Sequence, residues 1–308
     1  MRVPEVSIIM NCFNSAPHLK ETLDSVYAQT FQDWEIIFWD NLSTDNSAEI
    51  VFSFDEKIRY FKGEFFLGLG EARNMAISKA SGEYIAILDC DDLWYPEKLA
   101  KQFAVLRQHP KVDLIYSDYE MLNEDGSTIK NKTNLRLAHN CNAFEPIFVH
   151  KITIPWPTIV MRKHAVEKVG NFSNYKSAED FDILLKMANQ GMFYYVDEVL
   201  AVYRIHANQL SMNYELAKKE IFSVYNYWEL QWSKNKVLNS EKKQWLINGK
   251  KEICYISGLR ALLQNKDSAV YFKEAMKYKP DLKLIILFCA SRISLLTYLI
   301  RKIYFVSR

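Results

Sequence analysis

No CxxC pair occurs in the chain, and its five cysteines, Cys12, Cys90, Cys141, Cys254 and Cys289, are scattered and odd in number. That excludes a zinc site on paired cysteines and argues against a disulfide framework, leaving reduced thiols as in cytosolic proteins. A strong charge of one sign is missing too. With 39 basic and 37 acidic residues the formal net charge is +2, too small for a general nucleic-acid binder, so no nucleic-acid partner is expected. The first residues run almost directly into an apolar stretch, without the basic and apolar regions of a signal peptide. Internal repeats and low-complexity segments are absent. No GxGxxG follows the first apolar run, which excludes the dinucleotide-binding kind of α/β domain. What remains is 308 residues, 49% hydrophobic and 25% charged, enough for one large domain or a domain with an appendage.

Over the first 120 residues, apolar runs alternate with helical spacing. Strands are expected at 6–12, 35–39, 58–61, 84–88 and 113–117, with helices ending near 29, 54 and 80 and another over 96–109 that carries Pro96 in its first turn. Asn123-Glu124-Asp125-Gly126 turns a hairpin. This alternation implies an α/β domain with a mainly parallel sheet and helices on both faces. After 130 the order changes. An extended stretch at 152–162 is broken by Pro155 and Pro157, a short helix follows at 163–169, and Ser177 is the expected N-cap of a second helix with Asp180 at N3. A last strand is expected at 199–204.

From about 211 the chain reads as helical, with Ile221, Val224, Trp228 and Trp232 at packing spacing. Residues 252–280 resemble one helical hairpin of the tetratricopeptide type, which must pack on its neighbours. The expected division is therefore 1–210 and 211–308. The stretch 284–306 is very apolar, yet Arg292 near its middle would cost roughly 2.5–3.5 kcal/mol in a spanning helix. Beyond Asp281 there are no acids, whereas Lys283, Arg292, Arg301, Lys302 and Arg308 are basic. A helix lying on an anionic membrane surface and a core helix of the C-terminal bundle are the two readings.

Chemistry concentrates where the apolar run at 84–88 ends in Asp89-Cys90-Asp91-Asp92. Three carboxylates within four residues lie just beyond a central strand, where open α/β sheets bind ligands. They repel one another unless a cation or solvent compensates. Such oxygen donors suit Mg²⁺ or Mn²⁺ held together with substrate phosphates; the plain alternative is a solvated acidic loop. From its position alone Asp180 reads either as a capping acid or as a functional carboxylate.

Six stretches taken in order are more specific than any one. They are Val6-Ser7-Ile8-Ile9-Met10-Asn11-Cys12-Phe13-Asn14, Trp39-Asp40-Asn41-Leu42-Ser43-Thr44-Asp45, Gly70-Glu71-Ala72-Arg73-Asn74-Met75-Ala76, Leu88-Asp89-Cys90-Asp91-Asp92, Ala178-Glu179-Asp180 and Tyr203-Arg204-Ile205-His206. Together they resemble the family 2 glycosyltransferases of GT-A fold, over about residues 4–210. The resemblance implies an inverting, metal-dependent transferase that moves a sugar from a nucleotide-diphosphate donor, UDP- or dTDP-linked, to a saccharide or lipid-linked acceptor. Surface polysaccharide synthesis by a cytoplasmic enzyme at the inner face of a membrane is the expected setting.

It also implies roles. Asn11, Phe13, Asp40 and Asn41 would hold the base and ribose, Arg73 would face the diphosphate, and Asp89 would contact the ribose or assist the metal. The family usually has an acid where this chain has Asn41, which can still accept through its amide oxygen but without charge. Asp91 and His206 would ligate Mn²⁺ or Mg²⁺, Asp92 would orient its neighbours, and Asp180 would be the catalytic base with Glu179 beside it or at the acceptor. Trp156, Thr158 and Arg162 lie where the family builds acceptor sites, Trp156 as a stacking face. Two rivals stand beside this reading. A sugar-nucleotide nucleotidyltransferase would need a Gly-rich phosphate loop that Asn11-Cys12-Phe13-Asn14 does not supply, and a non-catalytic binding module in an assembly complex would have no use for the full acid cluster.

Overall fold

The computed structural model describes residues 3–131, 143–206, 209 and 213–292. The chain divides into two compact units, Met1–Phe144 with Ile152–His206, and Glu145–Lys151 with Ala207–Arg308.

The first unit is built on a nine-stranded sheet. Strands β1 (Val6–Cys12), β2 (Trp34–Asp40), β3 (Ile58–Lys62) and β4 (Tyr84–Ile87) are linked by helices α1 (Ala16–Tyr27), α2 (Ser47–Phe52) and α3 (Leu69–Lys79). They pair in parallel in the order β3-β2-β1-β4. Every residue of β2 is buried, as expected for a strand covered on both faces. Val6, Ile8, Met10 and Cys12 alternate along β1 and join Leu19, Leu23 and Val26 of α1 in the main core, the period-two and helical patterns meeting on one side of the sheet.

The other half of the sheet is mixed. It contains β5 (Leu93–Trp94), β6 (Leu114–Leu122), β7 (Thr128–Asn131), β8 (Val160–Arg162) and β9 (Phe193–Arg204), with α4 (Lys98–Gln108) between β5 and β6. The order continues β4-β8-β6-β9-β5, with β7 beside β6. Strand β8 runs antiparallel between β4 and β6, while β6 and β9 are parallel.

Three boundaries differ from the sequence expectation. Strand β9 begins at Phe193 rather than 199, because Asp197 and Glu198 bulge out of register between the pairs Ser117↔Val196 and Asp118↔Val199. Two exposed acids inside a strand break the period that the sequence shows. Helix α4 starts at Lys98 with Glu97 as its cap, so Pro96 precedes the helix. Helix α7 (Glu179–Gln190) has Ala178 at its N-cap with no side-chain cap hydrogen bond, so Ser177 is not the cap and Asp180 stands at N2. Instead, Glu179, Asp180 and Asp182 fill the first turn, where the helix dipole favours negative charge. A 3-10 turn at Trp156–Thr158 and α6 (Lys163–Lys168) precede it, whereas α5 (Phe144–Phe148) has all but its first residue in the second unit.

The second unit holds α8 (Tyr214–Lys234), α9 (Ser240–Leu263), α10 (Ala269–Tyr278) and α11 (Leu282–Ala290). Helices α9 and α10 make the expected hairpin, although α9 begins well before 252. They approach closely at Gly258, where a Cβ would lie 2.6 Å from the Phe272 ring. Cys254, Phe272, Ala275, Leu284 and Leu287 form the local core. Tyr225 lies in the same unit, its hydroxyl 3.1 Å from the Phe148 carbonyl oxygen and 2.8 Å from His150 Nε2. No described helix is long and apolar enough to cross a membrane. Of the apolar stretch 284–306, the part from 293 on lies outside the described residues.

Candidate active site

The parallel register carries the site residues to one end of the sheet. Cys12 pairs with Asp40 and Ile9 with Ile87, and Leu88 N–H still bonds to the Ile9 carbonyl oxygen at 3.1 Å. Asn11, Asp40 and Asp89 therefore leave three neighbouring strands at the same level. The loops that follow β1 and β2 are laced together. Asn41 N–H donates to Cys12 O at 2.8 Å, Thr44 N–H to Asn14 Oδ1 at 2.7 Å, and Ala16 N–H to Asp45 Oδ2 at 3.0 Å. Two bends have backbones in the left-handed region, Asn14 at φ 53° and Leu42 at φ 69°. Asn adopts that conformation readily, while a branched Leu is strained there.

Asp40 and Asn41 act inward. Asp40 is buried, with Oδ1 accepting from Ser43 N–H at 2.7 Å and Oδ2 from the Tyr60 hydroxyl at 2.5 Å. The Asn41 amide donates to Leu67 O at 2.9 Å and accepts from Leu67 N–H at 3.1 Å. It thus clamps the loop carrying the exposed Phe65 and Phe66. Phe66 meets the exposed Phe13 edge to face at 5.0 Å. Both polar atoms of the Asn11 side chain are buried without a hydrogen-bond partner, a costly state that a bound polar group or water would relieve.

Arg73 is the hub. Its side chain is 1% exposed, with Nη2 3.0 Å from Asp89 Oδ1 and Nη1 2.6 Å from Glu179 Oε1. The guanidinium lies 4.9 Å over the Trp156 ring. Gly70, one turn earlier in α3, allows the approach, since a Cβ there would collide with the Ser173 carbonyl oxygen. Burial raises the carboxyl pKa of Asp89, with Arg73 opposing. Burial likewise raises Glu179 to about 7, Arg73 opposing and Asp180 adding to the rise. The Asp180 carboxyl is also raised, by burial first, while its own Oδ1 accepts from Phe181 N–H at 2.6 Å.

The second cluster closes on Asp91. His206 Nε2 lies 2.9 Å from Asp91 Oδ2. Arg204 Nε donates to the Asp91 carbonyl oxygen at 2.8 Å and its Nη2 to Glu21 Oε2 at 2.6 Å, while its backbone N–H holds buried Asp92 at 2.9 Å. Burial and the neighbouring Asp91 and Asp89 keep the Asp92 carboxyl well above its ordinary range. Among the described residues no group of three or more His, Cys, Asp or Glu is placed to hold a metal. The donor set is one carboxylate and one imidazole. That fits an ion of the Mg²⁺ or Mn²⁺ type, which takes one or two carboxylates and completes its shell with phosphate oxygens and water.

The structure brings Arg73, Asp89, Glu179 and Asp180 together, and Asp91 with His206. Of the three acceptor candidates, Trp156 lies against Arg73, Thr158 is turned into its own turn and Arg162 is at the far end of the sheet. Trp156 is buried and its face is covered by Arg73, so it braces the guanidinium in place of offering a stacking platform. Thr158 is buried, its hydroxyl donating to Pro155 O at 2.7 Å. Arg162 pairs across from Tyr84, at the opposite end of β4, and bonds to Val112 O, Pro110 O and Glu83.

Sequence reasoning missed two features. His18 of α1 stands with its ring 5.3 Å from that of His206, and burial together with Arg204 and His206 lowers its pKa. The neighbouring Cys90 thiol, whose Sγ donates to Asn11 O at 3.4 Å, lowers Cys12 to about 6, while Cys90 is pushed up in turn. A sheet register was needed to see that positions 12 and 90 meet.

Residues 7–169 match glycosyl transferase family 2. An uncharacterized glycosyltransferase of Methanocaldococcus jannaschii is 28% identical over 255 residues, 80% of this chain and 86% of that protein. The Escherichia coli UDP-Glc:alpha-D-GlcNAc-diphosphoundecaprenol beta-1,3-glucosyltransferase is 33% identical over 136 residues, 44% of this chain and 53% of that one. The chain spans between 34% and 65% of the length of four uncharacterized Rickettsia glycosyltransferases. Among solved structures, a mannosyltransferase from Pyrobaculum calidifontis in complex with GDP-Man and Mn²⁺ superposes with a TM-score of 0.62 at 18% identity, covering 95% of this chain and 80% of that one. That likeness carries the fold, an α/β sheet of GT-A type followed by a helical C-terminal region. With the family matched over more than half its length, the chain belongs to glycosyl transferase family 2.

Proposed function

We propose that the chain is an inverting glycosyltransferase that transfers a sugar from a UDP- or dTDP-linked donor to a saccharide or lipid-linked acceptor in surface polysaccharide synthesis. One observation carries the reading. Buried Arg73 ties Asp89, at the end of the central strand, to Glu179, next to Asp180 at the start of α7. A donor-side carboxylate and a candidate base are thereby held in one rigid frame, the preorganisation that a displacement reaction needs.

Asp180 takes the proton of the acceptor hydroxyl as its oxygen attacks the anomeric carbon. The bond from that carbon to the diphosphate oxygen breaks, the nucleoside diphosphate departs with its electron pair, and the configuration inverts. Placement in the first turn of α7 favours the ionised form of Asp180, against the burial that raises its pKa. The unpartnered Asn11 amide, with Phe13 and Phe66 alongside the same loops, offers a place for the base. Asp91 and His206 would hold Mn²⁺ or Mg²⁺, which when bound offsets charge on the departing diphosphate. The glucosyltransferase relative is named for a UDP donor and a lipid-diphosphate acceptor, and the mannosyltransferase neighbour was solved with Mn²⁺; both support these finer choices.

Titration calorimetry with UDP and dTDP, with and without Mn²⁺, tests the donor site: metal-dependent binding is expected in the wild type and not in Asp91→Ala. Asp180→Asn should keep nucleotide binding and lose roughly 10²- to 10⁴-fold in turnover. Transfer at the wild-type rate by Asp180→Asn would remove Asp180 from the chemistry.

A further inference from the structure

Helix α11 is apolar around its whole circumference, Leu282-Lys283-Leu284-Ile285-Ile286-Leu287-Phe288-Cys289-Ala290 having one charged residue. A helix of that kind is normally enclosed on all sides. Here one stripe is enclosed and one is not. Leu284, Leu287 and Phe288 pack against Cys254, Phe272 and Ala275. On the other side Leu282, Ile285 and Ile286 are 72%, 45% and 56% exposed, and Cys289 is exposed beside them. Positions 282, 285, 286 and 289 follow the i, i+3, i+4, i+7 rule, so they form one continuous ridge. Among the described residues nothing covers it.

The charges select the occupant. Lys283, in the first turn, is exposed next to the ridge with its ammonium 4.4 Å over the Tyr255 ring, and Arg292, two residues past the end of α11, has its guanidinium 4.7 Å over the Phe288 ring. Asp281, the last acid in the sequence, is turned away from this duty. Its Oδ1 caps α11 by accepting from Leu284 N–H at 2.9 Å, and its other oxygen pairs with Lys251. From Leu282 to the C-terminus the sequence has five basic residues and no acidic one. An apolar ridge flanked by cations, in a segment free of acids, complements a layer that is apolar inside and anionic at its face.

We infer that the exposed ridge of α11 docks on an anionic lipid surface, with Leu282, Ile285, Ile286 and Cys289 entering the acyl boundary and Lys283 and Arg292 meeting the headgroups. This goes beyond the transferase reading and is independent of it. A lipid-linked acceptor, if that is the substrate, would lie in the same surface.

Co-sedimentation of the full chain with vesicles tests the inference, using phosphatidylcholine alone and phosphatidylcholine mixed with phosphatidylglycerol. Binding to the anionic vesicles should exceed binding to neutral ones by roughly tenfold and fall as salt rises. The double variant Ile285→Asp, Ile286→Asp should lose that binding while keeping its helical circular dichroism. Lys283→Gln with Arg292→Gln should lose the preference for anionic vesicles and keep the same fold. Equal binding to both vesicle types, or unchanged binding by the double Asp variant, would overturn the proposal. So would a dimer of the wild type in light scattering, dissolved by the same double variant, without vesicle binding. In each variant nucleotide binding is measured separately, so failure to dock is distinguished from failure of the donor site.

Discussion

A single guanidinium holding two carboxylates is the residue-scale feature on which the rest depends. Arg73 is fully enclosed, and a buried ion pair that loses one partner leaves an uncompensated charge. Lysine at this position would present one point charge and could not bridge Asp89 and Glu179 with a planar fork. Arg73→Lys should therefore destabilise the first unit by about 3 kcal/mol, read as a lowered denaturation midpoint, and reduce turnover more than nucleotide affinity. Glu179 adds a pH dependence with a defined sign. Its carboxyl is raised to about 7 from an ordinary 4.5, so between those values the folded chain keeps a proton that the unfolded chain has released. The stability linked to that proton is present below 4.5 and is lost as pH rises through the window to about 7. Denaturation midpoints measured across it should fall with pH in the wild type and fall less steeply in Glu179→Gln. His18 stands beside His206, the two rings 5.3 Å apart. His18→Ala should raise the KM for donor by roughly tenfold, as loss of one hydrogen bond to a charged group would, with the fold intact by circular dichroism.

At the scale of elements, the loop after β2 explains a departure from the family pattern. The Asn41 amide both gives and receives a hydrogen bond at Leu67. An aspartate could accept from Leu67 N–H but could not donate to Leu67 O, and two oxygens would then face each other. Asn41→Asp should loosen the loop that carries Phe65 and Phe66 by roughly 1–3 kcal/mol, seen as faster amide exchange at Leu67 and its neighbours. The parallel half of the sheet was legible because each strand is a buried apolar run closed by a turn and each helix keeps its period. The acid cluster, Arg73 and Asp180 were legible because their spacing follows that order. What the sequence hid has physical causes. The strand β9 is interrupted by two outward acids, the α7 cap has no side-chain oxygen, and the fates of Trp156 and Arg162 depend on the turn before β8 and on the end of β8. A three-residue strand carries no period from which that could be read. His18 stayed hidden because a lone half-buried helical histidine has no local signature.

For the molecule as a whole, the nucleotide site should act as a thermodynamic anchor. If donor nucleotide and Mn²⁺ bind the folded first unit alone, saturation at a hundred times the dissociation constant adds about 2.7 kcal/mol to its stability. Thermal unfolding should shift upward with both present, and chelation should reverse the shift in the wild type but change nothing in Asp91→Ala. The ion pairs around Arg73 also have a kinetic meaning. Arg73 and Glu179 are 106 positions apart, His206 and Asp91 115, and Arg204 and Glu21 183. Contacts of such separation form late, after the chain has already lost most of its freedom. During synthesis from the N-terminus, the strands that carry Asn11, Asp40 and Asp89 are complete while Arg73 still lacks its second carboxylate and Asp91 its imidazole. The nascent protein thus passes through a stage with its scaffold made and its site unassembled, and substitutions at these tethers will speed unfolding far more than they slow folding.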